Sequence, residues 1–285
     1  MAGKIGVIGG SGLYEMEGLT KVKKVEVKTP FGKPSDKYIL GELEGREMVF
    51  LPRHGKGHKI LPHEINFRAN IYGMKKLGVE WIISVSAVGS MKKEIMPGDI
   101  VIPDQFYDKT KSRISTFFGN GIAGHIQFAD PLCDKLFGIL YSSAKEAGAR
   151  VHKGGTYICI EGPQFSTRGE SLIYRKWGVD IIGMTNIPEA KLAREAEICY
   201  GTIALATDYD CWHEEEEDVT IDAVLEIIRK NVKMAQSIIR NAVKKIKPHR
   251  KCSCPESLKY AIITAKDKIP AKIKKDLKQI FGKYL

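Results

Sequence analysis

Six short polar clusters, each following a run of apolar or β-branched residues, carry the side chains with reactive or ligand-binding potential. Gly9-Gly10-Ser11-Gly12 follows the first such run. Its glycines let backbone N–H groups point into a cavity, and Ser11 adds a hydroxyl, so the loop reads as an anion cradle or as a simple tight turn. It is not GxGxxG, and the lysine of a phosphate-binding P-loop is missing, which argues against a dinucleotide site. Arg53-His54-Gly55-Lys56-Gly57-His58 offers a planar guanidinium fork suited to phosphate or carboxylate, or is a solvated basic loop. His54, His58 and His63 lack the carboxylate or cysteine partners of a known ligand spacing, so no metal site is expected there. Ser84 to Ser90 places small residues and hydroxyls, Ser86 and Ala87 among them, at the end of a central strand. Glu161 to Arg168 sets Phe165 and Ser166 after a Gly-Pro turn, as a base-stacking pocket requires, or forms a rigid loop. Gly183-Met184-Thr185-Asn186 and Thr207-Asp208-Tyr209-Asp210 complete the set, the last with two acids spaced for acid–base or hydrogen-bonding work. Singly each is a loop or cap; jointly they predict one pocket at the carboxyl ends of several strands.

The elements that must position these clusters alternate. Strands are predicted at Lys4–Ile8, Val22–Val27, Tyr38–Leu43, Glu47–Leu51, Trp81–Val85, Ile100–Ile102, Thr156–Ile160, Val179–Ile182 and Thr202–Thr207. Helices are predicted at Pro62–Leu77, Leu132–Ala147, Arg168–Trp177 and Glu189–Cys199. A long last helix carries Ile221, Val224, Leu225 and Ile228 through Ile246 on one face; Thr220 caps it and Pro248 stops it. This alternation means an α/β fold with a mixed, largely parallel sheet flanked by helices. Lys259–Ala265 is expected as a strand or helix, and Pro270–Phe281 as a short basic helix.

A chain of 285 residues with 43% hydrophobic and 28% charged residues buries its core without staples and is neither disordered nor fibrous. No apolar run reaches membrane-spanning length, and the N-terminus does not read as a signal peptide, so a cytoplasmic location is expected. The net charge of +11 first suggests nucleic acid as a partner. Its distribution argues otherwise: residues 229–285 hold 17 Lys/Arg against 3 acids, whereas residues 1–228 hold 28 against 31. The excess lies in the end of the last helix and in an extension over 249–285, which carries few aromatics for stacking bases. The organisation expected is a body over 1–248 and a basic extension over 249–285, the latter docking on acidic surface such as Glu214–Asp218.

The segments IGGSGLY, TPFGKPSD, FLPRHGKGH, SVSAVGS, PGDIVIPDQF, IEGPQFSTR, IGMTNIPEAKLAREAEICY and ATDYDCW, in this order over residues 4–247, closely resemble the S-methyl-5'-thioadenosine phosphorylase family of the trimeric nucleoside phosphorylase class. The resemblance implies phosphorolysis: inorganic phosphate attacks the anomeric carbon, adenine leaves, and no cofactor is used. It implies phosphate held by Ser11, Arg53, His54, Ser86, the Ala87 backbone N–H and Thr185. It places Met184 beneath the ribose, Phe165 against the purine, and Asp208 and Asp210 on the adenine. Asp208, if burial keeps it protonated, is the general acid toward N7. An acid rather than an amide there favours a 6-aminopurine over the alternative, a 6-oxopurine or methylthioinosine phosphorylase, because a buried donor–acceptor mismatch is costly. Ser166 and Ile221 match specificity positions. Val224, His58 and a neighbouring subunit's His125 match the methylthio pocket, so the expected partners are substrate, phosphate and further copies in a homotrimer or homohexamer. The Cys252-Ser253-Cys254 pair resembles the CxC motif of hyperthermophilic members, which implies Cys252–Cys254 and Cys133–Cys199 bridges against reduced thiols as the plain alternative.

Overall fold

The computed structural model describes residues 3–213 and 221–285, the side chains of Ser11 and of residues 221–228 excepted. The elements run β1 (Lys4–Gly9), β2 (Thr20–Val25), β3 (Tyr38–Leu43), β4 (Arg46–Pro52), α1 (Phe67–Lys76), β5 (Val79–Ser90), β6 (Ile100–Ile102), β7 (Gln105–Lys109), α2 (Asp134–Glu146), β8 (Val151–Lys153), β9 (Thr156–Ile160), α3 (Arg168–Lys176), β10 (Ile181–Gly183), α4 (Asn186–Glu195), β11 (Cys199–Asp208), α5 (Ile221–Lys245), α6 (Ala271–Asp276) and α7 (Lys278–Phe281). Thr220 and Glu214–Asp218 lie outside the described residues.

The strands form one branched sheet in the order β2-β3-β4-β1-β5-β10-β9-β7, with β11 on the other edge of β5, then β6 and β8. The pairings are mixed and largely parallel, as the alternation of strands and helices requires. Strand alternation sorts side chains onto two faces. Ile5, Val7, Met48, Phe50, Trp81, Ile83, Ile203 and Leu205 pack with Leu136 and Leu140 of α2 and with Ala235, Ile239 and Val243 of α5. The intervening Ile8, Val49, Leu51, Ile82, Tyr200 and Ala204 pack with Ile71 and Met74 of α1 and with Ala190 and Ala193 of α4.

β5 organises the site. One of its edges pairs with β11 along Trp81–Gly89. The other pairs with β1 only up to Ser84 and with β10 only from Gly89. From Val85 to Val88 that second edge has no strand partner among the described residues, which leaves Ser86 and Ala87 facing a gap in the sheet.

Four segments depart from expectation. The helix expected over Glu189–Cys199 begins at Asn186 and ends at Glu195. Glu197 then takes a left-handed conformation (φ 56°), and Cys199 opens β11 opposite Trp81. β7 and β8 are short and polar, and they exist by pairing with β9 and β6, a signal that periodicity does not carry. Lys259–Ala265 is built of turns, with Ile262 bridging Gly124.

Residues 249–285 fold back over the α1/α4 face. Leu258, Ile269, Leu277, Ile280 and Phe281 are at most 3% exposed in the shared core, each burial stabilising by about 1.5–3 kcal/mol. The tail is also held by polar contacts to Glu197, whose carboxylate receives Lys283 Nζ at 2.6 Å and the Tyr284 hydroxyl at 2.6 Å.

Candidate active site

Arg53 follows β4 and is anchored by its backbone N–H on the Gly9 carbonyl, which places it beside the loop ending β1. Its side chain is 2% exposed. Nε and Nη2 bond both oxygens of Glu189 at 2.9 and 3.0 Å, Nη2 also reaches Ser84 Oγ and the Ile8 carbonyl, and Nη1 donates to the Val85 carbonyl at 2.9 Å. Burial pulls the guanidinium down, and the Glu189 carboxylate more than offsets it. Glu189 is fully buried and also accepts from Ser84 Oγ and from the Tyr200 hydroxyl. This corrects one expectation: the charge-assisted bonds assigned to phosphate go to Glu189, and only one Nη1–H remains for a ligand.

His54 is corrected in the same sense. Its Nδ1 lies 2.8 Å from the Ile60 carbonyl, which can only accept, so Nδ1 carries the proton. Burial pushes the imidazole down to about 4, against the pull of that carbonyl, so the ring is neutral at pH 7 and Nε2 accepts rather than donates. His58, in a left-handed conformation, stacks on it at 4.2 Å.

Along the open edge of β5, Ser86 Oγ donates to Asn186 Oδ1 at 3.3 Å, and Asn186 donates to Thr202. Ala87 is exposed at the same edge. Among the described residues Thr185 Oγ1 is buried without a hydrogen-bond partner, and so is the Tyr157 hydroxyl, which lies beside Ser86 and Thr185. Gly183 admits that hydroxyl: a Cβ there would stand 2.0 Å from it. Unpaired buried hydroxyls around an open strand edge are what an anion pocket leaves when the ligand is absent.

Arg113 ties two loops together. Its side chain is 1% exposed and donates to the Met184 and Ile187 carbonyls, each at 2.7 Å, and to the Ile160 and Glu161 carbonyls. Met184 thereby sits under Gly162, whose φ of 69° and contact with the Met184 sulphur (2.6 Å from an added Cβ) both require glycine.

At the far end, a register shift between Ala206 and Asp208 re-aims the end of β11 over Gly89. Asp208 is exposed, and its carboxylate accepts from Thr207 Oγ1 at 2.7 Å and from the Asp210 N–H at 2.8 Å. The burial on which a protonated Asp208 was expected is thus not supplied by this chain alone. Asp210 is held instead, by Ser166 Oγ at 3.0 Å and Ser171 Oγ at 2.5 Å. Phe165 is 83% exposed. His125 is exposed on a loop whose N–H bonds Ala261 of the tail. Ser11, Ile221 and Val224 have side chains outside the described residues.

Sequence reasoning missed Glu189, Tyr200, Tyr157 and Arg113, and named Ser84 and Asn186 only as members of their clusters. Glu189 had a signal: a lone acid in the apolar run Ile187–Ala193. The others looked like strand or loop filler. All six cysteines are free thiols, and the four expected to pair two by two converge in one cluster.

The sequence matches the family model described as the phosphorylase superfamily over residues 4–244. It is 67% identical over 282 residues to the S-methyl-5'-thioadenosine phosphorylase of Geobacter sulfurreducens, covering 99% of both chains. It is 51% identical over 263 residues to that of Hyperthermus butylicus, covering 91% of this chain and 95% of the other. Its fold superposes on a methylthioadenosine phosphorylase from an Antarctic soil metagenomic library with TM-score 0.95 and 49% identity, covering 98% and 99% of the two chains. The Schistosoma mansoni methylthioadenosine phosphorylase in complex with tubercidin gives TM-score 0.82 and 39% identity, covering 90% and 96%. With the family model matched over residues 4–244, a fold that superposes at TM-score 0.95 and 67% identity over 99% of the chain, the chain belongs to the S-methyl-5'-thioadenosine phosphorylase family of the phosphorylase superfamily.

Proposed function

We propose that the chain cleaves S-methyl-5'-thioadenosine with inorganic phosphate, giving adenine and 5-methylthioribose 1-phosphate, at the open edge of β5. The observation that carries the placement is the buried, unpartnered Thr185 hydroxyl beside Ser86, Ala87 and Tyr157. Phosphate is held there largely by neutral donors: the Ala87 N–H, the Ser11, Ser86 and Thr185 hydroxyls, and the one spare Arg53 donor. Arg53 and Glu189 act as a nearly charge-neutral brace that fixes the Ser84–Val85 turn of the strand. His54 Nε2, an acceptor, suits the hydroxyl of a monoprotonated phosphate.

The sugar lies on Met184, and attack by an aligned phosphate on its anomeric carbon needs no covalent protein intermediate. Phe165 faces the base, and Ser166 holds Asp210 so that Asp208 is left to meet the departing purine. Asp208 meets N7 of the departing purine where substrate and a neighbouring subunit cover it. An exposed Phe165 and His125 fit an assembly in which subunits complete one another's pockets, as a homotrimer or homohexamer. A cytoplasmic location is part of this reading, and among the described residues no helix is long and apolar enough to cross a membrane.

The test is phosphate-dependent adenine release compared across methylthioadenosine, adenosine and inosine. Phosphate-dependent cleavage of methylthioadenosine well above inosine is expected; inosine turned over as fast would sink the 6-amino reading, and cleavage without phosphate would sink phosphorolysis.

A further inference from the structure

The mechanism leaves one cluster of buried reactive groups unused. Cys133 precedes the first residue of α2, Cys199 opens β11, and Cys252 and Cys254 lie in the tail. Their four sulphurs all lie within 4.8 Å of one another, and Cys199 Sγ is 3.4 Å from Cys252 Sγ. Three of the four residues are buried and Cys252 is partly so. Cys199 and Cys252, in contact at 3.4 Å, are not a pair expected to bridge, and each sulphur has the other three within 4.8 Å. That is a fourfold arrangement rather than a twofold one.

A metal ion bound by four thiolates with arms of about 2.3 Å sets its ligands on a tetrahedron of edge about 3.8 Å. The cluster brackets that spacing. It is too tight for an iron–sulphur cluster, whose four cysteines are spread over two or more iron atoms. We propose that Cys133, Cys199, Cys252 and Cys254 bind one zinc ion in a closed structural site that clamps the tail to the body.

Local features favour the charge that such a site carries. Two thiolates more than the ion neutralises leave a net negative centre, and the chain next to the ligands is basic, with Lys135 two residues after Cys133 and Arg250 and Lys251 just before Cys252. Cys133 stands at the N-terminal end of the 13-residue α2, where the helix dipole favours an anionic sulphur. Each sulphur comes from backbone already anchored: the Cys133 N–H bonds the Tyr200 carbonyl, and Cys199 is paired with Trp81 in the sheet. Two ligands belong to the body and two to the tail, so the ion closes a loop of some fifty residues between Cys199 and Cys252 that contains α5. Binding displaces the thiol protons, and because the unfolded chain has no such site, binding energy becomes folding energy. This departs from the expectation, drawn from the histidines, of no metal.

The experiment uses untagged full-length protein, purified in reducing buffer without chelator or metal affinity steps. Elemental analysis should give close to one zinc per chain. Metal-stripped protein should take up one Co2+ per chain with the intense thiolate-to-cobalt absorption of a tetrahedral sulphur site. Cys252→Ser and Cys254→Ser should each lower zinc content at least fivefold, while the Cys159→Ser/Cys211→Ser double variant keeps it. Wild-type protein that is metal-free as isolated and takes up neither zinc nor cobalt overturns the proposal. So does denatured, unreduced protein with only two reactive thiols, since the four cysteines are then two disulfides. These readouts are on wild-type protein and do not depend on the variants folding.

Discussion

Glu189→Gln probes the buried brace behind the phosphate pocket. Glu189 accepts four hydrogen bonds: two from Arg53, one from Ser84 and one from Tyr200. Glutamine keeps one acceptor oxygen and turns an NH2 group toward donors, while Arg53, at 2% exposure, keeps its charge without a counter-ion. Breaking a buried pair from one side costs about 3–5 kcal/mol, or roughly 6–20 °C in melting temperature for a chain of this size. The phosphate KM should rise as well, because Arg53 positions Ser84 and Val85 at the edge that phosphate meets. The assay is chemical denaturation plus phosphate-dependent adenine release, run on Glu189→Gln, Arg53→Met and the Arg53→Met/Glu189→Leu pair. The pair, which removes both charges, should be more stable than either single change predicts, with coupling on the order of 1–3 kcal/mol. A Glu189→Gln enzyme within about 1 kcal/mol of wild type, or a pair whose cost equals the sum of the singles, would refute the brace.

Thr185→Val removes a buried hydroxyl without a partner, so stability should hold or rise while the phosphate KM increases about tenfold, the loss of one hydrogen bond; an unchanged KM would take Thr185 out of the pocket. Asp208→Ala should lower adenine release more than a hundredfold with the fold intact, and activity within tenfold of wild type would remove its general-acid role. Burial pushes the Glu195 carboxyl up to about 7, although Thr116, Phe117 and Lys191 pull it the other way. A raised carboxyl contributes fully below the ordinary carboxylate range, and the benefit is lost as pH rises toward 7. Stability should therefore fall by roughly 3 kcal/mol from pH 4.5 to 7 on account of this group. Glu195→Gln, which mimics the protonated form, should flatten that slope in pH-dependent unfolding, and an unaltered slope would contradict it.

What the sequence settled by itself is local. Strands and helices alternate because apolar residues recur at periods of 2 and 3.6, and the polar clusters follow strands because a chain leaving a sheet edge turns there. Tyr38–Leu43, Ile100–Ile102 and Thr156–Ile160 form strands at the expected residues. Met184 and Thr185 follow the strand before their cluster, as placed, whereas Ser86 and Ala87 lie inside β5, which runs on to Ser90 instead of ending at Val85.

What only the tertiary structure decided are pairings between distant residues. Arg53 meets Glu189, 136 positions away, and that partner turns a phosphate clamp into a neutral brace. Asp208 is exposed in spite of its apolar strand, because the register shift at the end of β11 turns it outward over Gly89. The basic extension is bound by its leucines, isoleucines and Phe281, with Lys283 on the buried Glu197 carboxylate and Arg250 on Glu80 beside them, while most of its other charges stay in solvent. The four cysteines come from three places in the chain and become one cluster only where α2, β11 and the tail meet. Periodicity and turn chemistry act over a few residues and are written in the sequence locally; which buried charge or sulphur finds which partner depends on sheet order and layer packing, which no short stretch of sequence contains.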